Sequence, residues 1–169
     1  MNTAFALNWV EDTRSIFEQT LAEKLAAFDG PSKPLNEALR YGLLEGGKRL
    51  RALLVLASGY AVGTPVRKLT DAACAIEAMH AYSLVHDDLP CMDNDILRRG
   101  KPTCHVKFGE AFALLDGDAL QTTAFQWLAE SSQLDNSVLL AQVRVLSRAS
   151  GLMGMAAGQA IDLAHVGKP

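Results

Sequence analysis

Three carboxylates, Asp87, Asp88 and Asp93, fall within one short stretch around Pro90, and two arginines, Arg98 and Arg99, follow in the same loop. Carboxylates packed this tightly repel one another unless a hard cation sits among them. Magnesium takes oxygen ligands and binds one or two carboxylates together with the phosphates of a substrate. A guanidinium forks onto phosphate oxygens, so arginines beside such a cluster suit the same substrate. The stretch therefore reads as a magnesium–diphosphate site. The plain alternative, an exposed acidic helix end, is poor, because a helix C-terminus disfavours anions.

The segments on either side must position these groups. The residues before the turn include Ala72, Ala73, Ile76, Met79, Tyr82, Leu84 and Val85. A helix through them puts His80 and Asp87 within about 20° of one face, with Ser83 near it. Polar groups on so apolar a helix face a polar cavity or carry an energetic cost. For His80 alone, a hydrogen-bonded core histidine is the competing reading. His86 lies about 100° round from Asp87 and reads as structural. Continued regularly, the helix would carry Asp93 about 240° away from Asp87. Pro90 lacks an N–H and clashes with the preceding turn, which lets Asp93 swing back. A second cationic stretch is Gly46-Gly47-Lys48-Arg49-Leu50-Arg51. Its glycines admit close approach of a ligand to the backbone, and a helix start offers free N–H groups to an anion. Lys48 and Arg51, three apart, are expected on one helical face, with Arg49 pointing elsewhere. A solvated basic turn with a glycine cap is the alternative there, and the glycine spacing is wrong for a nucleotide P-loop.

The elements that carry these residues read as helices. Expected helices cover about 4–28 (Trp9, Ile16, Leu21 and Leu25 on one face), 35–45, 48–60, 66–89, 109–131, 136–150 and 151–165, with a loop over 96–107. Asp135-Asn136-Ser137 is expected to cap the helix that follows it. No repeat or linker divides residues 1–169, so the fold class is all-α, one antiparallel helical bundle. The chain has 169 residues, 49% of them apolar, which suits a globular core. A net charge of −3 without a basic excess argues against a nucleic-acid groove. The longest apolar run, Ala52 to Val62, is too short to span a bilayer. Cys74, Cys91 and Cys104 are odd in number and lack metal-ligand spacing, which fits free thiols in a reducing compartment. A soluble, cytoplasmic protein with no membrane or nucleic-acid partner is expected.

The stretch His80-Ala81-Tyr82-Ser83-Leu84-Val85-His86-Asp87-Asp88-Leu89-Pro90-Cys91-Met92-Asp93, with Leu97-Arg98-Arg99-Gly100-Lys101-Pro102-Thr103-Cys104-His105, resembles the first aspartate-rich motif of the trans-prenyl diphosphate synthases. The Gly46 to Arg51 stretch resembles that family's homoallylic diphosphate site. Gly117-Asp118-Ala119-Leu120 and Gly154 to Leu163 are similar to its later helices. The resemblance implies the isoprenoid synthase type of bundle. It also implies condensation of isopentenyl diphosphate with an allylic diphosphate, dimethylallyl or geranyl, by Mg²⁺-assisted ionisation. Asp87, Asp88 and Asp93 would gather Mg²⁺, with Asp87 and Asp93 as the direct ligands. Arg98 would contact the allylic diphosphate, and Lys48, Arg51, His80 and Arg99 would hold isopentenyl diphosphate. Tyr82, five residues before Asp87, would floor the product tunnel. The implied product is the fifteen-carbon farnesyl diphosphate, and the implied assembly a homodimer.

The same resemblance implies a second aspartate-rich motif and a lysine–threonine pair further along, which the sequence does not contain. The chain is therefore expected to be the N-terminal part of such an enzyme, inactive or barely active alone, with apolar surface left uncovered. Two other readings compete: a non-catalytic helical partner with the same fold, and a class I terpene cyclase. A cyclase has no second diphosphate to hold, so Lys48, Arg51 and His80 argue against it.

Overall fold

The structure is a computed structural model that describes residues 3–44 and 46–168, and of residues 3–7 the course of the backbone only. The helices are α1 (Thr3–Ala26), α2 (Lys33–Leu44), α3 (Leu50–Ala61), α4 (Thr70–Asp87), α5 (Cys104–Phe108), α6 (Glu110–Ala129), α7 (Asn136–Ser150) and α8 (Met155–His165). A 3₁₀ turn, Val66–Lys68, leads into α4, and one hairpin, β1 (Leu97–Arg98) and β2 (Lys101–Pro102), follows it. The all-α expectation holds, with strand confined to that hairpin among the described residues.

Helix α1 buries a stripe of every fourth residue: Thr13, Phe17, Leu21 and Leu25. Each large apolar side chain there contributes about 1.5–3 kcal/mol by leaving water. Ile16, expected on the stripe, is instead 51% exposed, and Phe17 takes its place. The turn into α2 is closed by Asn36, whose amide nitrogen donates to the Gly30 carbonyl at 2.8 Å and whose side-chain oxygen accepts from the Gly30 N–H at 3.1 Å. Glu45, the expected end of α2, lies outside the described residues.

Helix α4 is central and packs against α1, α2, α3 and α6. Ala73, Ala75, Ala78 and Ala81 are buried along it, and α6 contributes Ala113, Leu120 and Ala124 to the same core. Small side chains let such axes approach closely. Gly117 of α6 is one such contact: a Cβ there would lie inside the His86 ring of α4. Helix α7 starts after Asp135 as expected, but the Asp135 side chain makes no capping bond; its carbonyl accepts from Val138 and Leu139 instead.

Several boundaries differ from the sequence reading; α8 begins at Met155 rather than near Gly151, and α1 ends at Ala26 rather than near Phe28. Val66–Lys68 form a 3₁₀ turn, so α4 begins at Thr70 rather than near Val66. The expected loop over 96–107 contains the hairpin and α5. Arg99 and Gly100 both have positive φ, 54° and 77°. Two left-handed residues form the turn that matches the twist of a two-residue hairpin. Gly100 is thus half of a specific turn and not merely a breaker. Thr103 secures the far side, donating its N–H to the Ile96 carbonyl at 3.1 Å and its hydroxyl to the Asp95 carbonyl at 2.8 Å.

Candidate functional site

The acidic turn is built by backbone bonds that double the chain back after Pro90. Met92 and Asn94 donate to the Leu89 carbonyl, and the Asp93 N–H donates to the Asp87 carbonyl at 2.8 Å. Asp93 therefore returns to the end of α4, as the proline implied. The three carboxylates then part company. Asp88 is 3% exposed and held by Arg98, whose Nε lies 3.0 and 2.9 Å from its two oxygens and whose Nη2 lies 2.6 Å from Oδ1. That bidentate pair fastens the hairpin under the end of α4. Asp93 is exposed. Asp87 is half-buried and accepts a hydrogen bond from Gln159 of α8. Burial raises the Asp87 carboxyl above the ordinary carboxylate range; the Gln159 bond opposes this, and the Asp93 charge adds to it. Among the described residues, no three His, Cys, Asp or Glu side chains converge closely enough to hold a cation by themselves. Two mutually repelling carboxylates do fit a hard divalent cation whose remaining ligands are phosphate oxygens.

Asp87 opens onto a cleft of about 660 Å³ between α4, the acidic turn, α6 and α8, lined also by Tyr82, Ser83, His86, Leu89, Leu114, Gln159 and Leu163. Tyr82 sits edge-on to His86 at 5.0 Å between ring centres. His86 Nε2 lies 3.0 Å from the Leu114 carbonyl. A carbonyl only accepts, so this nitrogen carries the proton. This bond fixes the His86 ring against which Tyr82 rests.

The cationic residues come together at the other flank of α4. Gly47, Lys48, Arg49, Leu50, Arg51, Glu77, His80 and Arg99 line one pocket of about 260 Å³. Gly47, at φ 127°, lies under the Arg99 guanidinium; a Cβ there would meet it at 3.0–3.1 Å. Arg99 donates to the Gly46 carbonyl. The hairpin turn and the glycine pair are thus two halves of one construction. His80 is pushed down to about 4, first by burial and then by Arg51 and Arg99, so it is a neutral hydrogen-bonding group at neutral pH. Lys48 and Arg51 share the pocket, but not as one helical face. Helix α3 starts only at Leu50, and Arg49 stands before it in a left-handed conformation, φ 51°. Nor are the first N–H groups of α3 all free, because the Ala52 N–H is taken by Glu77 at 3.1 Å.

A third cavity, about 120 Å³, joins the two sites. It shares Arg51 and His80 with the basic pocket and Ser83 and Met155 with the acidic cleft. Lys48, Arg51, Arg99, His80, Tyr82 and Asp87 thus line neighbouring cavities along α4, whereas Asp88 and Arg98 line a separate pocket with Tyr41 and Lys101, and Asp93 lines none of these. Two participants escaped sequence reasoning. Gln159 left no local signal, since it is a polar residue on a helix otherwise distant from the turn. Glu77 left one: an acid between Ile76 and Ala78 in an apolar stretch, a placement that calls for a buried partner.

The chain is 53% identical over 160 residues to a probable farnesyl diphosphate synthase of Bradyrhizobium diazoefficiens, which covers 95% of this chain and 48% of that protein. It is 49% identical over 152 residues to farnesyl diphosphate synthase of Escherichia coli, covering 89% of this chain and 51% of that one. A crystal structure of a geranyltransferase from Legionella pneumophila superposes with a TM-score of 0.95 at 40% identity, over 98% of this chain and 59% of that chain. The chain spans about half the length of the curated relatives it matches. The polyprenyl synthetase model matches residues 32–168, a range that contains the glycine pair, the acidic turn, the hairpin and α8. The chain belongs to the polyprenyl synthetase family.

Proposed function

We propose that the chain carries the diphosphate-handling part of a prenyltransferase that joins isopentenyl diphosphate to dimethylallyl or geranyl diphosphate, with farnesyl diphosphate as product. The observation that supports this reading best is the run of neighbouring cavities along α4, with Lys48, Arg51 and Arg99 at one end and Asp87 at the other. One substrate diphosphate suits Lys48, Arg51, Arg99 and neutral His80, which donates a hydrogen bond without adding charge. The other suits the acidic turn, where Asp87 and Asp93 would hold Mg²⁺ and Asp88 keeps Arg98 beside them. Bound there, the ion would act as a Lewis acid that draws charge off the departing diphosphate. The apolar walls of the cleft exclude water from the reacting carbon. Tyr82 lines that cleft and would limit the length of the product. A cytoplasmic homodimer is the assembly we infer from the resemblance. No described helix is long and apolar enough to cross a membrane.

Calorimetry tests the reading on the chain itself. Isopentenyl diphosphate is expected to bind without metal and to lose affinity in Arg51→Ala. A non-hydrolysable allylic diphosphate analogue is expected to bind only with Mg²⁺ and to be lost in Asp87→Asn. Metal-independent binding of both would remove the acidic turn from the reaction. Incubation with Mg²⁺, isopentenyl diphosphate and geranyl diphosphate separates the chemistries. A coupled fifteen-carbon product supports the synthase, and a cyclic hydrocarbon from the allylic substrate alone supports a cyclase. In an active enzyme carrying this chain, Tyr82→Ala is expected to lengthen the product.

A further inference from the structure

The wall of the basic pocket contains a buried ion network. Arg49 is 5% exposed and Glu77 is 5% exposed. Arg49 reaches α1 through Glu18, with Nε to Oε1 at 2.7 Å and Nη2 to Oε2 at 3.1 Å. It reaches the end of α2 through the Leu43 carbonyl at 2.7 Å. Its Nη1 lies 3.5 Å from Glu77 Oε2 on α4. The other Glu77 oxygen accepts the Ala52 N–H, the third residue of α3, at 3.1 Å. Four helices are therefore joined by one guanidinium and two carboxylates. Glu77 lies one helical turn before His80, and Ala52 follows Arg51 directly.

We propose that Arg49 and Glu77 are positioning residues, which set the start of α3 against α4 so that Lys48, Arg51 and His80 face one diphosphate. The left-handed backbone at Arg49 turns the chain between Lys48 and Leu50, and its buried side chain holds that turn in place. Glu77 caps α3 from a neighbouring helix, a task usually given to a side chain at the helix start. The assignment rests on reading the pocket as an anion site.

The sign of one measurement separates positioning from simple electrostatics. Among the described residues, Glu77 is the only acid lining the pocket. By charge alone, Glu77→Gln makes the pocket more positive and should tighten anion binding. If Glu77 positions the cations, the same change loosens it. Inorganic pyrophosphate, titrated calorimetrically into the purified chain without metal, is the probe. We expect Glu77→Gln to weaken binding by about tenfold, the scale of one lost charged contact. Circular dichroism and the thermal midpoint establish that the variant is folded at the assay temperature. Glu18→Gln, at the partly exposed end of the network, is expected to weaken binding by about threefold and decides the matter if Glu77→Gln does not fold. Unchanged or tighter binding in the folded variants overturns the proposal. Failure of the unmodified chain to bind pyrophosphate overturns the anion-site reading and the positioning role with it.

Discussion

Near its middle, around Glu77 and His80, helix α4 meets cations whose places are already held; at its C-terminal end it meets carboxylates whose charge is only partly answered. In the basic pocket, Arg49 is buried between two acids and Arg99 lies on the Gly46–Gly47 platform. In the acidic turn, Arg98 is paired with Asp88, while Asp87 takes its hydrogen bond from an uncharged amide and feels the charge of Asp93 more than that of Arg98. A preassembled set of cations can accept an anion as it arrives. An uncompensated pair of carboxylates needs an added cation before an anion can approach. On the proposed function, this difference predicts different requirements for metal at the two diphosphates.

The contrast can be broken from either side. The largest effect is expected from Arg49→Met, which leaves Glu77 buried without its charged partner. Breaking a buried pair in this way costs about 3–5 kcal/mol, to be read as a lower urea midpoint for the variant chain. A loss below about 1 kcal/mol would show a network that contributes like a surface pair. Next comes Gly117→Ala in α6. Its methyl group would occupy the space of the His86 ring, and overpacking of this kind costs about 1–3 kcal/mol. The ring must leave the Leu114 carbonyl, so the proton on His86 Nε2 should begin to exchange rapidly in an NMR spectrum.

The pH dependence sharpens the comparison at His80. Its folded value of about 4 lies below the ordinary histidine value, so the unfolded chain binds more protons between the two. Stability should therefore fall as pH drops from about 6.5 towards 4. An anion in the pocket should raise the His80 value. NMR titration of the imidazole, with and without pyrophosphate, checks both signs; titration above pH 6 in the free chain would contradict the cationic environment. Asp116 has the opposite sign. Burial raises it to about 7, and its Oδ1 has no hydrogen-bond partner among the described residues. The folded chain holds that proton longer than the unfolded one, so stability should fall as pH rises from about 4 through 7. Asp116→Asn should flatten that slope. The smallest effect is expected at Asp95, which lies 4.0 Å from Arg98 and is largely exposed. Asp95→Ala should change stability by no more than about 0.5 kcal/mol, since Arg98 is already held by Asp88.

Much of the helix order was legible because apolar spacing and glycine–proline breaks are local. Phe17 displaced Ile16 because a stripe of every fourth residue, and not merely one apolar face, matched the neighbours of α1. The hairpin was missed because its register depends on positive φ at Arg99, a conformation that an arginine does not advertise. Asp116 was missed as well. An acid beside a glycine in a helix looks exposed until Cys104 of α5 is found against it at 3.4 Å.

By itself, the sequence determined the chemistry available: three carboxylates around a proline, two arginines after them and a glycine pair before Lys48. It also determined the reversal at Pro90, since a missing N–H and a steric clash act within one turn of chain. The tertiary structure decided which charges are spent on holding the site and which face its cavities. Asp88 went to Arg98, and Arg49 to Glu18 and Glu77, while Lys48, Arg51, His80 and Arg99 were brought to one pocket. Those choices depend on desolvation and on contacts between helices dozens of residues apart, and no local pattern encodes them.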